Sequence, residues 1–146
     1  MNRQRSGVAL MAKRGESIIF IGDREADHVA IEPLGKVSSG WRSTNISVHC
    51  GVWAGHFTGQ FFEGELTKFG KEIDYFYQNL KPTAALHSAE HYLQLTLADA
   101  GQGRIRVEGR AQERLGAKTM LEFEFEADRA ALPEVARLLM DTDRPR

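Results

Sequence analysis

The sequence predicts an α+β fold: a largely antiparallel, strongly twisted sheet of about eight strands with two helices packed on it. Three observations predict it. Apolar and polar residues alternate in a series of short runs, the pattern of strands with one buried face. In two places the spacing changes to the threes and fours of an amphipathic helix. Between the alternating runs stand short Gly-containing turns, which join antiparallel neighbours but cannot make the long crossover that parallel strands need. One core suffices for the 146 residues, because a chain of this size buries roughly 68–70% of its unfolded surface.

Residues 1–14 open the chain with a basic stretch in which Val8–Met11 is the only apolar run. This is too short for a signal peptide, so the segment reads as a disordered leader before a single domain at 15–142, with 143–146 as a polar tail. No stretch approaches the roughly 18 apolar residues of a membrane span. The lone Cys50 has no partner for an internal disulfide, which points to a reducing, cytoplasmic setting.

Ser17–Ile21 and His28–Ile31 are brief β-rich runs bounded by Gly22-Asp23 and Pro33-Leu34-Gly35. A loop rich in Gly, Ser and Lys follows to Arg42. From Asn45 to Val52, residues Ile46, Val48, Cys50 and Val52 share one face. Phe57–Glu63 places Phe57, Gly59 and Phe61 inward. Pairing Val52 with Phe57 across Trp53-Ala54-Gly55-His56 puts Val48 opposite Phe61 and turns Phe62 outward with His49 and Ser47.

Leu66, Phe69, Ile73, Phe76 and Leu80 then make the stripe of a helix over 65–80. Glu63 and Glu65 suit its N-terminus, Lys81-Pro82 ends it, and Gly70 inside it points to close packing against the sheet. Thr83–Ser88 and His91–Ala98 continue the sheet, the latter with Leu93, Leu95 and Leu97 inward. Arg104–Gln112 alternates Ile105, Val107, Gly109 and Ala111 with Arg104, Arg106, Glu108 and Arg110. Pairing Ala98 with Arg104 keeps the leucines beside Ile105 and Val107. The last strand sets Leu121, Phe123 and Phe125 against Glu122, Glu124 and Glu126, and an odd loop such as Arg114-Leu115-Gly116 aligns the Arg row with the Glu row. Those rows read as a solvated face of weak cross-strand pairs. Asp128 is the expected N-cap of a final helix carrying Leu132, Val135, Leu138 and Leu139, with Pro133 in its first turn. Residues 45–80 and 104–140 share the order hairpin, acidic residue, helix, a coarse internal repeat.

The chemistry-bearing residues are sparse. Lys plus Arg number 19 against 20 Asp plus Glu, so no excess charge favours nucleic acid. His87-Ser88-Ala89-Glu90-His91 has two His four apart but lacks the Glu placement of a helical zinc motif, falls in a strand-turn-strand stretch, and reads as structural rather than metal-binding. The Gly101-Gln102-Gly103-Arg104 turn offers backbone amides near an Arg, as an anion cradle does, but such two-glycine turns are common in hairpins and the signal is weak. Cys50 has no Lys or Arg beside it in the sequence and reads as a small core residue. No catalytic residue, metal site or cofactor is assigned. Trp41, Trp53, His56 and Phe62 stand in turns or on outward positions and are the candidates for protein contact.

A family resemblance is carried by Trp41 and Asn45, Ser47-Val48, Gly55-His56-Phe57-Thr58-Gly59, Glu65-Leu66 and Phe69. It continues through Ala85-Leu86-His87-Ser88, the run from Gly101 to Ala111, Leu121-Glu122-Phe123-Glu124-Phe125 and Leu132-Pro133. Over residues 16–140 the chain resembles the WapI-like immunity proteins of bacteria. The resemblance implies a small cytoplasmic protein that binds a cognate toxin domain and blocks it, without catalysis of its own. Charge and hydropathy add the expectation of no nucleic-acid or membrane partner, and the chain is expected to be a monomer or homodimer. Two places depart from the family pattern: Ala127-Asp128-Arg129 stands where Asp-Gln-Thr is usual, and Arg42-Ser43-Thr44 separates Trp41 from Asn45. Beside this reading stand a small-ligand binder or modest enzyme, with a pocket between sheet and helices near His49, His56 or the Gly101 turn, and an assembly subunit paired through a strand edge.

Overall fold

The computed structural model describes residues 18–79, 82–114 and 116–143. The leader at 1–14, the helix end at Leu80-Lys81, Leu115 of the expected loop and the tail at 144–146 lie outside them. The chain runs β1 (Ile19–Gly22), β2 (His28–Pro33), β3 (Trp41–Cys50), β4 (Trp53–Phe62), α1 (Glu65–Asn79), β5 (Thr83–His87), β6 (Leu93–Gly101), β7 (Arg104–Ala111), β8 (Leu121–Asp128), a 3-10 turn at Arg129–Ala131 and α2 (Leu132–Met140).

All eight strands pair antiparallel, as expected, but in two sheets of four, β1-β2-β3-β4 and β5-β6-β7-β8, rather than one sheet of eight. The helix causes the division. After β4 the chain leaves the first sheet through α1, and β5 starts a second sheet beside that helix. The apolar faces of both sheets and the stripes of both helices then close on one shared core, from Ile19, Ile31 and Ile46 through Phe69 and Phe76 to Leu95, Val107 and Leu139. Each half of the chain is four strands followed by a helix.

The faces follow the alternation, while the registers differ from expectation. Cys50 pairs with Trp53, leaving a two-residue loop of Gly51-Val52 and placing Val48 opposite Gly55 rather than Phe61. Gly51 has φ of 61°, as the first position of a type II′ hairpin turn requires. The shift is even, so Ile46 and Val48 keep the face of Phe57 and Phe61. Similarly, Ala98 pairs with Arg106 and the turn is Gln102-Gly103, both with positive φ, the type I′ pattern. In the last hairpin Ala111 meets Leu121, so its loop is longer than the three residues expected. The Arg and Glu rows do align: Arg110 donates to Glu122 at 2.7 Å, and Arg104 lies 3.8 Å from Glu126. Arg106 instead turns along its own strand to Glu108 at 3.0 Å.

In α1 the buried residues Leu66, Phe69, Gly70, Ile73 and Phe76 are the predicted stripe with Gly70 added. Gly70 packs on α2 rather than on a sheet: a Cβ there would lie 2.9 Å from the Ala136 carbonyl and from Leu139. Asp128 caps the 3-10 turn that leads into α2, accepting the Ala130 N–H at 2.9 Å.

Candidate protein-binding surface

The β3–β4 hairpin carries all four candidate residues. Trp41 opens β3 instead of standing in a loop, and Trp53 opens β4 instead of forming the turn. Trp41 and Phe62 are directly opposite in the register and point to the outer face. Their rings meet edge to face at 5.0 Å and 73°, a favourable quadrupole arrangement. Phe62 remains 47% exposed. Gly40 permits this packing, because a Cβ at Gly40 would lie 2.9 Å from the Phe62 ring.

Trp53 is not part of that pair. It lies nine residues along β4 from Phe62, about 30 Å in an extended strand, and its position has the parity of the inward face. Because the hairpin tip extends past the core, Trp53 is 68% exposed and Val52 beside it 93% exposed. The tip is braced from below. The Gly51 N–H donates to Asp27 Oδ1 at 2.9 Å, and the Cys50 thiol donates to the Glu124 carbonyl at 3.4 Å. His56 is on the outer face, its Nδ1 3.0 Å from Ser47 Oγ.

Between the two ends the outer face is polar and internally bonded. Thr58 Oγ1 donates to Asn45 Oδ1 at 2.8 Å, Asn45 Nδ2 to Glu32 at 3.2 Å and Gln60 Nε2 to Ser43 Oγ at 2.8 Å. The structure therefore brings Trp41 and Phe62 together and leaves Trp53 and His56 near the tip on opposite faces. Val52 was missed in the sequence because its alternation with Cys50 read as an inward position. The Gly-X pair at 51–52 was the available signal for a tight turn.

A further outer-face group had no sequence signal, since it depends on pairing between separate strands. His28 and His49 are opposite in the register and stack at 5.7 Å. Phe20 meets His28 edge-on at 5.3 Å, and the Arg24 guanidinium lies 4.7 Å from the Phe20 ring centre. Nδ1 of His28 lies 3.1 Å from the Asp23 carbonyl and 3.0 Å from that of Ala26. Two acceptors require that this nitrogen carry a proton.

The remaining candidates are accounted for locally. His91 adopts φ of 60° in the turn before β6, and its Nδ1 lies 2.8 Å from Gln94 Nε2. Among the described residues no group of three or more His, Cys, Asp or Glu is arranged to hold a metal ion. The Gln102-Gly103 turn is closed against the last strand by the Arg129 N–H, which donates to the Gly103 carbonyl at 2.9 Å. A concavity of about 610 Å³ lies over β6–β8, lined by Gln94, Thr96, Glu108, Arg110, Glu122 and Glu124, and contains neither His49, His56 nor Gly101. Its carboxylates are in part neutralised by the Arg row. No helix among the described residues is long and apolar enough to cross a membrane.

Comparison with solved structures finds crystal structures of Trypanosoma bruciei MRP1/MRP2, at 13% identity and a TM-score of 0.49, covering 97% of this chain and 94% of that one. It also finds a guide-RNA-binding protein complex bound to a guide RNA, at 11% identity and a TM-score of 0.47, covering 85% and 87%. No curated protein matches the sequence. The family model described as the immunity protein WapI-like family, however, matches residues 19–141, a span that begins at the first residue of β1 and ends just past α2. With both sheets and both helices inside that match, the chain belongs to the WapI-like immunity protein family.

Proposed function

We propose that the protein is an immunity protein that acts inside the cell by binding a cognate toxin domain and blocking it, without catalysing a reaction. The observation that carries this reading is the family match over residues 19–141. The geometry supports a contact surface at the hairpin tip, where Val52 and Trp53 are exposed on a turn braced by Asp27 and Cys50. A rigid, exposed Trp offers a large contact area at a small entropic cost. Such residues form the energetic centres of protein interfaces.

The test is to co-express the protein with candidate toxin domains encoded by genes adjacent to its own, score survival, and measure affinity by calorimetry. Wild type is expected to protect and to bind. Trp53→Ala is expected to weaken binding by about 2 kcal/mol or more, roughly thirtyfold, with the fold intact. Unchanged affinity in Trp53→Ala and Val52→Ser would remove the tip as the binding surface. Absence of both protection and binding would remove the immunity function.

A further inference from the structure

Four strands bound the two sheets: β1 and β4 in the first, β5 and β8 in the second. Three of these edges are blunted in ways that natural sheets use against open pairing. β1 has only four residues and packs against α2 and β8. β5 has five, and its Ala85 N–H is taken by Glu72 of α1 at 3.1 Å. β8 carries Glu122, Glu124, Glu126 and Asp128 at every second position, and its Glu124 carbonyl already accepts the Cys50 thiol.

β4 is blunted only at its last residue, Phe62, which a carboxylate of α1 meets. Its ten residues, Trp53 to Phe62, include no Lys, Arg, Asp, Glu or Pro, and its pairing with β3 is continuous, without a bulge, from Cys50↔Trp53 to Trp41↔Phe62. The tight turn at 51–52 fixes which backbone groups are free. Cys50 and Trp53 flank a two-residue loop and so form a hydrogen-bonded pair, as do alternate pairs beyond them. The odd positions of β4 therefore bond to β3, and the N–H and C=O groups of Ala54, His56, Thr58, Gln60 and Phe62 point away from it. Phe62 meets this geometry by donating its N–H to Glu65 Oε1 at 2.7 Å. Among the described residues, the backbone groups of Ala54, His56, Thr58 and Gln60 have no such partner.

We infer that this edge pairs with the β4 edge of a second copy of the chain, antiparallel about a two-fold axis at Thr58, joining two four-stranded sheets into one of eight. A two-fold contact must be self-complementary, and β4 fits itself. In this register Thr58 faces Thr58, His56 of each copy faces Gln60 of the other, and Ala54 comes beside Phe62, whose N–H stays with Glu65. The small Ala54 leaves room for the exposed Phe62 ring. On the opposite face Phe57 of each copy comes beside Gly59 of the other, over which that copy's own Tyr92 packs. No like charges oppose one another, since β4 carries none, and the absence of charge also leaves it without complementarity for a strongly basic or acidic foreign strand. The inference does not depend on toxin binding.

Sedimentation velocity on the full chain, from about 1 to about 200 μM, tests it. A dimer is expected to appear within that range. Thr58→Pro deletes the N–H at the axis in both copies while respecting the rule that Pro is tolerated where an edge N–H faces outward. Thr58→Lys sets two ammonium groups against each other there. Either change is expected to weaken dimerisation at least about tenfold, with the circular dichroism of the wild type retained by Thr58→Lys. A wild type that stays monomeric throughout, or a dimer that a folded Thr58→Lys leaves intact, overturns the inference. So does a monomer whose Thr58→Lys variant loses only toxin binding, since β4 would then be an edge for the partner.

Discussion

Gly109 makes the case for single residues. The alternation Ile105, Val107, Gly109, Ala111 placed it on the inward face, but nothing in that pattern explains the missing side chain. Its cross-strand neighbour does. Gly109 pairs with Phe123, and a Cβ on Gly109 would collide with the edge of the Phe123 ring. The backbone there is not left-handed, so the demand is for space alone. Gly109→Ala is expected to cost about 1–3 kcal/mol by overpacking, measured by urea denaturation. Adding Phe123→Leu is expected to recover part of that loss; a double variant less stable than the sum of its parts would show that the clash lies elsewhere. The same distinction governs the candidate surface. The outward position of Phe62 was legible from parity, which a shift by an even number of residues preserves; that of Trp41, which read as a loop residue, was not. The exposure of Val52 and Trp53 depends on where the turn falls, and parity does not report that.

Elements depend on residues far away in sequence, and α1 shows this most clearly. Its apolar stripe and the acidic Glu65 at its start were readable, whereas the groups that finish its two ends were not. At the N-terminus Asp143 Oδ2 accepts the Gly64 N–H and the Thr67 hydroxyl, both at 2.9 Å, and Arg42 holds the same segment by donating to the Thr142 carbonyl at 2.7 Å. At the C-terminus, where α1 has no basic residue of its own, Arg129 donates to the Tyr77 carbonyl at 2.8 Å and lies 4.6 Å from the Tyr77 ring centre. The segment around α2 thus places a carboxylate at the positive end of the α1 dipole and a guanidinium at its negative end. Asp143→Ala and Arg129→Ala are each expected to cost about 1–2 kcal/mol. Because they act at opposite ends of a fifteen-residue helix, the double variant should be additive within about 0.5 kcal/mol, as a thermodynamic cycle will measure. In α2, the hydrogen bond from Arg137 at 2.6 Å holds the Glu134 carboxyl below the usual carboxylate range. A lowered folded-state value means that this contribution is present above the unfolded carboxylate's pKa and is lost as pH falls through the lowered value. The stability gap between wild type and Glu134→Gln should therefore be small at neutral pH and close in that acidic window.

For the whole molecule, the sequence revealed two-faced strands and two helices but not the division into two sheets. Alternation states which side of a strand is buried; it does not say whether β5 continues the sheet of β4 or begins another. That choice rests on tertiary contacts such as α1 lying beside β5. Two repeated halves of four strands and a helix could in principle unfold separately, yet the contacts oppose it. Glu65 accepts the Phe62 N–H at 2.7 Å from the first half and the Ala89 N–H at 2.6 Å from the second. Asp143 and Arg129, from the second half, hold the helix of the first, and the Phe125 ring lies against Gly22 of β1. With the core also shared, neither half retains its packing when the other melts. Both tryptophans are in the first sheet, with Trp41 packed on Phe62, so intrinsic fluorescence reports on that half, whereas far-ultraviolet circular dichroism reports on both. Urea unfolding followed by the two signals is expected to give coincident transitions, as a single cooperative unit requires. A fluorescence transition that clearly precedes the dichroism would mean that the first sheet can open while the second persists, and that the bridging bonds of Glu65, Asp143 and Arg129 are too weak to couple them.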